Sequence, residues 1–284
     1  DVSKSIPVLS INGEAESPYL NSLFANDSAF RFTNNPVKNI DFNRLREHQL
    51  IILNELDKIP SGLIQELNTF LDGGGSLLII PSAKAELESY TELLSNAGLN
   101  YYLPSIQEST RVAEIDMESP VFADVFEKSP LDRQGQLNTD MPQVSYFFPI
   151  TSQARSMQMT IMSILNGKPF LTRETSGNGK VYLLAVPLDE SGSNFARHAL
   201  FVPVMYRIAL LSAASEPLYY TIGRDDQFDL KDVVLPGDQV VKIASLEDEY
   251  EFIPGQQNVN RKLILTLHNQ VPRAGQYRLL HNNE

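Results

Sequence analysis

The residues able to do chemistry gather at four places where an apolar run gives way to polar residues. These are Asn12-Gly13-Glu14, Asn54-Glu55, Pro81-Ser82 and Asp189-Glu190. The Ser82 hydroxyl is the nucleophile among them. It would need an imidazole base within hydrogen-bond reach and donors to hold an oxyanion. Of the four histidines (His48, His198, His268 and His281), His198 follows the Asp189-Glu190 segment and is the one placed to reach the same edge. Glu55 and Asp189 would then be the supporting carboxylates. The string Ile80-Pro81-Ser82-Ala83-Lys84 lacks the Gly-x-Ser-x-Gly turn that exposes a hydrolase serine. A structural role is open to each residue as well: Ser82 as a helix N-cap, His198 as a helix-start histidine bonded to backbone, the others as strand-end caps. The pattern therefore nominates a ligand crevice of Asn12, Glu14, Asn54, Glu55, Ser82, Asp189 and Glu190. Catalysis by Ser82, His198, Glu55 and Asp189 is the alternative.

Other chemistries find no support. There is no Cys, so disulfides, thiolate metal sites and cysteine nucleophiles are excluded. The histidines form neither His-x-His nor His-Glu-x-x-His, and no metal or cofactor is expected. Gly73-Gly74-Gly75 follows a helical pattern and precedes a strand, the reverse of a phosphate cradle. Gly177-Asn178-Gly179-Lys180 lacks Walker spacing. Asp225, Asp226 and Asp229 beside Gly223 lack the spacing and closing Glu of a calcium loop, and read as a solvated turn. With 23 Lys and Arg against 35 Asp and Glu, the net charge of −12 would repel a phosphate backbone, which excludes nucleic acid as a partner. No apolar run reaches the ~18 residues that would cross a bilayer. Asp1-Val2-Ser3-Lys4 shows neither an initiator Met nor a signal-peptide core, so the chain reads as a piece of a longer protein.

The elements that must position these residues follow from the hydrophobic periodicity. Ile6-Pro7-Val8-Leu9-Ser10-Ile11, Leu50-Ile51-Ile52-Leu53, Leu77-Leu78-Ile79-Ile80 and Val181 to Val186 are short continuous apolar runs, as expected of parallel strands covered on both faces. Phe30-Arg31-Phe32 is a shorter strand. Helices are predicted over Ser17 to Ala25, Pro60 to Leu71 and Ala83 to Ala97, with one long apolar helix over Asn194 to Ala214 in which Pro203 marks a boundary or kink. In the second of these, Leu63, Ile64, Leu67, Phe70 and Leu71 share one face. The alternation predicts an α/β fold with a doubly wound, mainly parallel sheet. Val144 to Phe148, Thr160 to Leu165 and Pro169 to Thr172 extend it in antiparallel fashion after a loop-rich stretch, Lys128 to Pro142. At 284 residues, two domains are expected. The boundary falls at Glu216-Pro217, giving an α/β domain over 1–215 and a small all-β sandwich over 216–284. Its strands are predicted at Leu218 to Ile222, Val240 to Ile243, Tyr250 to Ile253, Leu263 to Leu267 and Tyr277 to Leu280.

Two stretches resemble a known family. Leu50 to Leu56, then a helix, then Phe70-Leu71-Asp72-Gly73-Gly74-Gly75-Ser76-Leu77-Leu78-Ile79-Ile80-Pro81, resembles the class I glutamine amidotransferase-like (flavodoxin-like) fold. Gly179 to Asp189, with Ser193-Asn194-Phe195 and Phe201-Val202-Pro203, is similar to the amidotransferase-like region of membrane-anchored proteins related to the Bacteroides aerotolerance (Bat) family. The likeness covers 6–214, and 216–284 loosely through Pro272 to Leu280. An amidotransferase would carry a Cys at the elbow and a His–Glu pair after a late strand; here Pro81-Ser82 and Pro187-Leu188-Asp189 stand in those places. The resemblance thus implies a catalytically silent module of an inner-membrane protein, on its periplasmic side, anchored by segments beyond this sequence. It also implies a protein partner in the cell envelope. A glycan, stacked on Tyr219, Tyr220 or Tyr250 in the absence of any Trp, is a further candidate occupant.

Overall fold

The computed structural model describes residues 5–122, 140–152, 158–213, 221–223, 226–231, 240–259 and 262–281. The chain separates into two compact units, residues 1–214 and 215–284. The first is built on a nine-stranded mixed sheet. Its strands are β1 (Ile6–Asn12), β2 (Phe30–Pro36), β3 (Leu50–Leu56), β4 (Ser76–Pro81), β5 (Ile106–Ile115), β6 (Gln143–Phe147), β7 (Met159–Ile164), β8 (Pro169–Ser176) and β9 (Gly179–Leu184). They lie in the order β2-β1-β3-β4-β9-β8-β7-β5-β6. The pairs from β2 to β9 are parallel and the rest antiparallel.

The chain moves one way from β1 through α1 (Pro18–Phe24) to β2, and the other way from β3 through α2 (Ser61–Asp72) to β4. Right-handed crossovers then place α1 and α2 on opposite faces and open a switch point between β1 and β3. α1 shares its face with α4 (Phe201–Ser212): the Tyr19 and Phe201 rings meet edge-on at 6.3 Å. α2 packs against α3 (Leu87–Asn96). The predicted apolar face of α2 is buried at all five positions, and every residue of β4 is buried. At the end of α2 only Gly74 takes a positive φ, 88°. Gly75 is required for a different reason, since a Cβ there would lie 2.3 Å from the Phe70 ring.

Four expectations are corrected. The helix expected from Ala83 begins at Leu87, because residues 82–86 form a turn in which the Ala85 N–H donates to the Ser82 carbonyl. The long helix expected over Asn194 to Ala214 is a 3-10 turn, Phe195–Arg197, then an extended His198 and the twelve-residue α4; Pro203 sits in the first turn, where its missing N–H costs no bond. β2 is seven residues long rather than three. β5 was not expected at all, because its residues alternate between partial burial and exposure and only Val112 is buried.

The second unit holds two three-stranded antiparallel sheets. One is β10 (Gln227–Lys231), β14 (Lys262–Thr266) and β13 (Gly255–Val259); the other is β12 (Glu251–Phe252), β11 (Val241–Ser245) and β15 (Tyr277–His281). The strand expected over Tyr250 to Ile253 contracts to two residues, and β10 and β13 were not foreseen. Tyr219, Tyr220, Asp225, most of Leu218 to Ile222 and Lys128 to Thr139 lie outside the described residues. Among the described residues, no helix is long and apolar enough to cross a membrane.

Candidate functional site

A crevice of about 620 Å³ lies at the carboxyl ends of β1, β3 and β4, at the switch point where ligands of open α/β sheets collect. The chain leaving β1 (Gly13 to Tyr19) forms one wall and Asn54 to Lys58 the other, with Ser82 to Lys84 and Leu188-Asp189 completing it. Of the residues nominated from sequence, Glu14, Asn54, Glu55, Ser82 and Asp189 line it. Asn12, Glu190 and His198 do not.

Asn12 instead anchors the floor. It is fully buried, and its Nδ2 donates to Asn34 Oδ1 at 2.7 Å and to the Asn35 carbonyl at 3.1 Å. Its Oδ1 accepts from Ser10 Oγ and from Asn54 Nδ2 at 3.0 Å. This network ties the ends of β2, β1 and β3 together. Asn54 is 4% exposed, and its Oδ1 has no hydrogen-bond partner.

Glu55 is the most unusual residue of the site. The β3–β4 register shifts between Asn54 and Leu56, so Glu55 is the extra residue of a bulge, and its φ is 54°. A side-chain-bearing residue in that left-handed region costs about 1–2 kcal/mol. The bulge leaves the Leu56 carbonyl to accept from the buried Tyr90 hydroxyl. Gly13 permits the geometry: a Cβ there would lie 2.5 Å from the Glu55 carbonyl oxygen. The Glu55 side chain is partly buried, and its Oε1 accepts the Asp189 N–H at 2.8 Å. Burial pushes its carboxyl above the usual range; the Asp189 N–H pulls it partly back, and the Asp189 charge pushes it up again.

Ser82 has a different setting from the one expected. Its hydroxyl donates to Asp57 Oδ1 and accepts the Lys84 N–H at 3.1 Å, so it closes the turn after β4 and does not cap α3. His198 is engaged elsewhere. Its Nδ1 accepts the Leu200 N–H at 3.1 Å and its Nε2 lies 2.8 Å from the Asp140 carbonyl, which selects the Nε2–H tautomer. The Ser82–His198 pairing that the catalytic alternative required is not formed: the serine faces a carboxylate, and both imidazole nitrogens serve backbone, as the structural reading of His198 has it.

Asp57 was missed from sequence, and so was a relay behind Asp189. Tyr146 OH lies 3.0 Å from Ser191 Oγ, and that hydroxyl in turn donates to Asp189 Oδ1. Glu190 accepts from Tyr19 OH at 2.9 Å and pairs with Arg197. Five carboxylates (Glu14, Glu16, Glu55, Asp57 and Asp189) line the crevice against two lysines, Lys58 and Lys84. Lys58 is paired with Glu86 at 2.9 Å. Among the described residues no group of acidic residues and histidines could hold a metal ion.

No family model matches the chain, and no curated protein matches it in sequence. Solved structures do resemble it. Two proteins described as cytoplasmic, both from Salmonella typhimurium, superpose with TM-scores of 0.55 and 0.53. Each covers 72% of this chain, at 12% and 13% identity and over 99% and 98% of its own length respectively. A ThuA-like protein from Bacteroides uniformis superposes with a TM-score of 0.48 at 12% identity, over 75% of this chain and 92% of its own. At such identities the likeness of the two Salmonella proteins shows an α/β fold built on a large mixed sheet, and it assigns no activity.

Proposed function

We propose that the larger unit is a non-catalytic interaction module that receives part of a protein partner in the crevice between β1 and β3, with Glu55 as the central contact. The observation that carries the reading is Glu55 itself. It holds a strained backbone and a carboxyl whose charged form is disfavoured by burial, at the mouth of the switch point. Such costs persist where a site uses them. Ser82 has no imidazole to activate it, which favours binding over acyl transfer. The support for an extracytoplasmic address in a bacterial envelope is the resemblance of Gly179 to Asp189 to the Bat-related proteins. The cluster of Val241 from β11 with Leu263 and Leu265 from β14 supports a sandwich in the second unit.

The test is capture from detergent-solubilised envelope by the wild-type chain and by Glu55→Gly. A protein retained by the first and lost by the second supports the module; equal retention by both overturns it. The rival is a hydrolase. Turnover of an amide or ester by the purified chain, abolished in Ser82→Ala, would replace the binding reading.

A further inference from the structure

We infer that Asn178 is a site of spontaneous covalent modification, where the folded chain converts an amide of its own to aspartate and isoaspartate. Asn178 lies in the two-residue turn that joins β8 to β9, at the amino end of β9. Because β9 runs parallel to β4, this turn and the crevice occupy opposite edges of the sheet, and the inference does not depend on the binding reading. The chemistry needs an asparagine followed by a glycine. A residue without Cβ lets its backbone nitrogen reach the carbonyl carbon of the preceding side chain. Three such pairs occur: Asn12-Gly13, Asn166-Gly167 and Asn178-Gly179. The structure ranks them. Asn12 is fully buried, its Nδ2 donates to Asn34 and Asn35, and the Gly13 N–H donates to the Asn54 carbonyl at 3.2 Å. Asn166 is exposed but held at both ends: Oδ1 accepts the Lys168 N–H at 3.0 Å and Nδ2 donates to Glu108 Oε1 at 3.1 Å.

Asn178 is exposed, and its amide has no hydrogen-bond partner among the described residues. Glycine stands on both sides of it, and Gly177 already takes a φ of 56°. Gly179 pairs with Ser176 in the last rung of the β8–β9 ladder, where local opening costs least. Packing also demands that glycine: a Cβ at 179 would lie 2.7 Å from the Leu71 carbonyl oxygen. The Gly179 nitrogen attacks Asn178 Cγ and gives its proton to water. The Cγ–Nδ2 bond breaks, and ammonia departs with a proton from solvent. Water then opens the cyclic imide at either carbonyl, leaving aspartate or isoaspartate. No oxidant or reductant takes part. Each event adds one negative charge to a turn that lies beside Asp72, whose Oδ1 is 3.7 Å from where a Cβ on Gly177 would stand. Isoaspartate also inserts a methylene into the main chain of the turn.

The experiment incubates the whole chain in mildly alkaline buffer, folded and in urea, and follows each asparagine over time by peptide mass spectrometry with isoaspartate detection. In the folded chain the Asn178 peptide should convert first, about tenfold or more ahead of Asn166, which must break its side-chain bonds before it can react. Asn12 should convert only in urea. Isoaspartate should accompany aspartate at position 178, as the cyclic route requires. Asn178→Gln should fold as wild type does, since the amide it replaces makes no bond, and should lose the fast conversion. Conversion of Asn166 as fast as Asn178 in the folded chain overturns the ranking. An Asn178 that converts in urea but stays intact when folded overturns the site itself. Aspartate without isoaspartate overturns the attack by Gly179.

Discussion

β3 and β4 are neighbours, each with a buried run of four apolar residues, yet their carboxyl ends are built in opposite ways. At the end of β4, Ser82 closes a turn with every polar contact satisfied and its hydroxyl tied to Asp57. At the end of β3, a bulge forces Glu55 into left-handed backbone, beside an asparagine whose oxygen lacks a donor. The first end is spent on structure; the second carries costs that structure alone does not repay. The contrast shows that the side chain with the more familiar chemistry need not mark the site. A residue held against its own conformational preference is the stronger marker.

The hardest blow to this contrast comes through Gly13. Gly13→Ala drives a Cβ to 2.5 Å from the Glu55 carbonyl and should cost about 2–3 kcal/mol in urea unfolding, because backbone lies on both sides of the clash. Ser82→Ala comes next. It should cost about 1 kcal/mol and leave binding at the crevice intact, as befits a turn-closing hydroxyl. A larger effect on binding than on stability would erase the distinction between the two ends.

Glu55→Gln makes the smallest and most diagnostic change. The folded state raises the Glu55 pKa above its unfolded value, so the folded protein holds that proton more tightly. Wild type is thus favoured while pH lies below the unfolded value of about 4.3 and loses that contribution as pH rises to the folded pKa. The glutamine variant lacks this loss. Its stability relative to wild type, followed by urea unfolding against pH, should rise through that window and level off above it. A flat difference would show that the charge carries no penalty.

The parallel strands were legible because a strand covered on both faces must be apolar at every position, and α2 was legible because its five apolar residues recur at helical spacing. β5 was not, since a strand with one buried residue has no such run. The start of α3 was misplaced because Ser82 and Asp57, 25 residues apart, set the turn before it. Five crevice residues could be named from strand ends alone. The two features that distinguish the site could not. A glutamate has no propensity for positive φ that would announce the bulge, and the orphaned oxygen of Asn54 depends on where Asn12 sends its own amide. The His198 ring bonds backbone, as its structural reading had it, but which backbone groups it would meet, Asp140 and Leu200, could not be named, since any sequence supplies them.

The extra residue in β3 has a consequence for how such a surface can change over generations. Side chains on a strand alternate between faces, so an ordinary substitution there alters what the interior must accommodate. Position 55 stands outside that alternation: Leu53 and Leu56 are both in the core, and Glu55 between them is only partly buried. Selection can rewrite the lettering at this spot without resetting the type around it, and the scaffold can acquire new preferences one codon at a time.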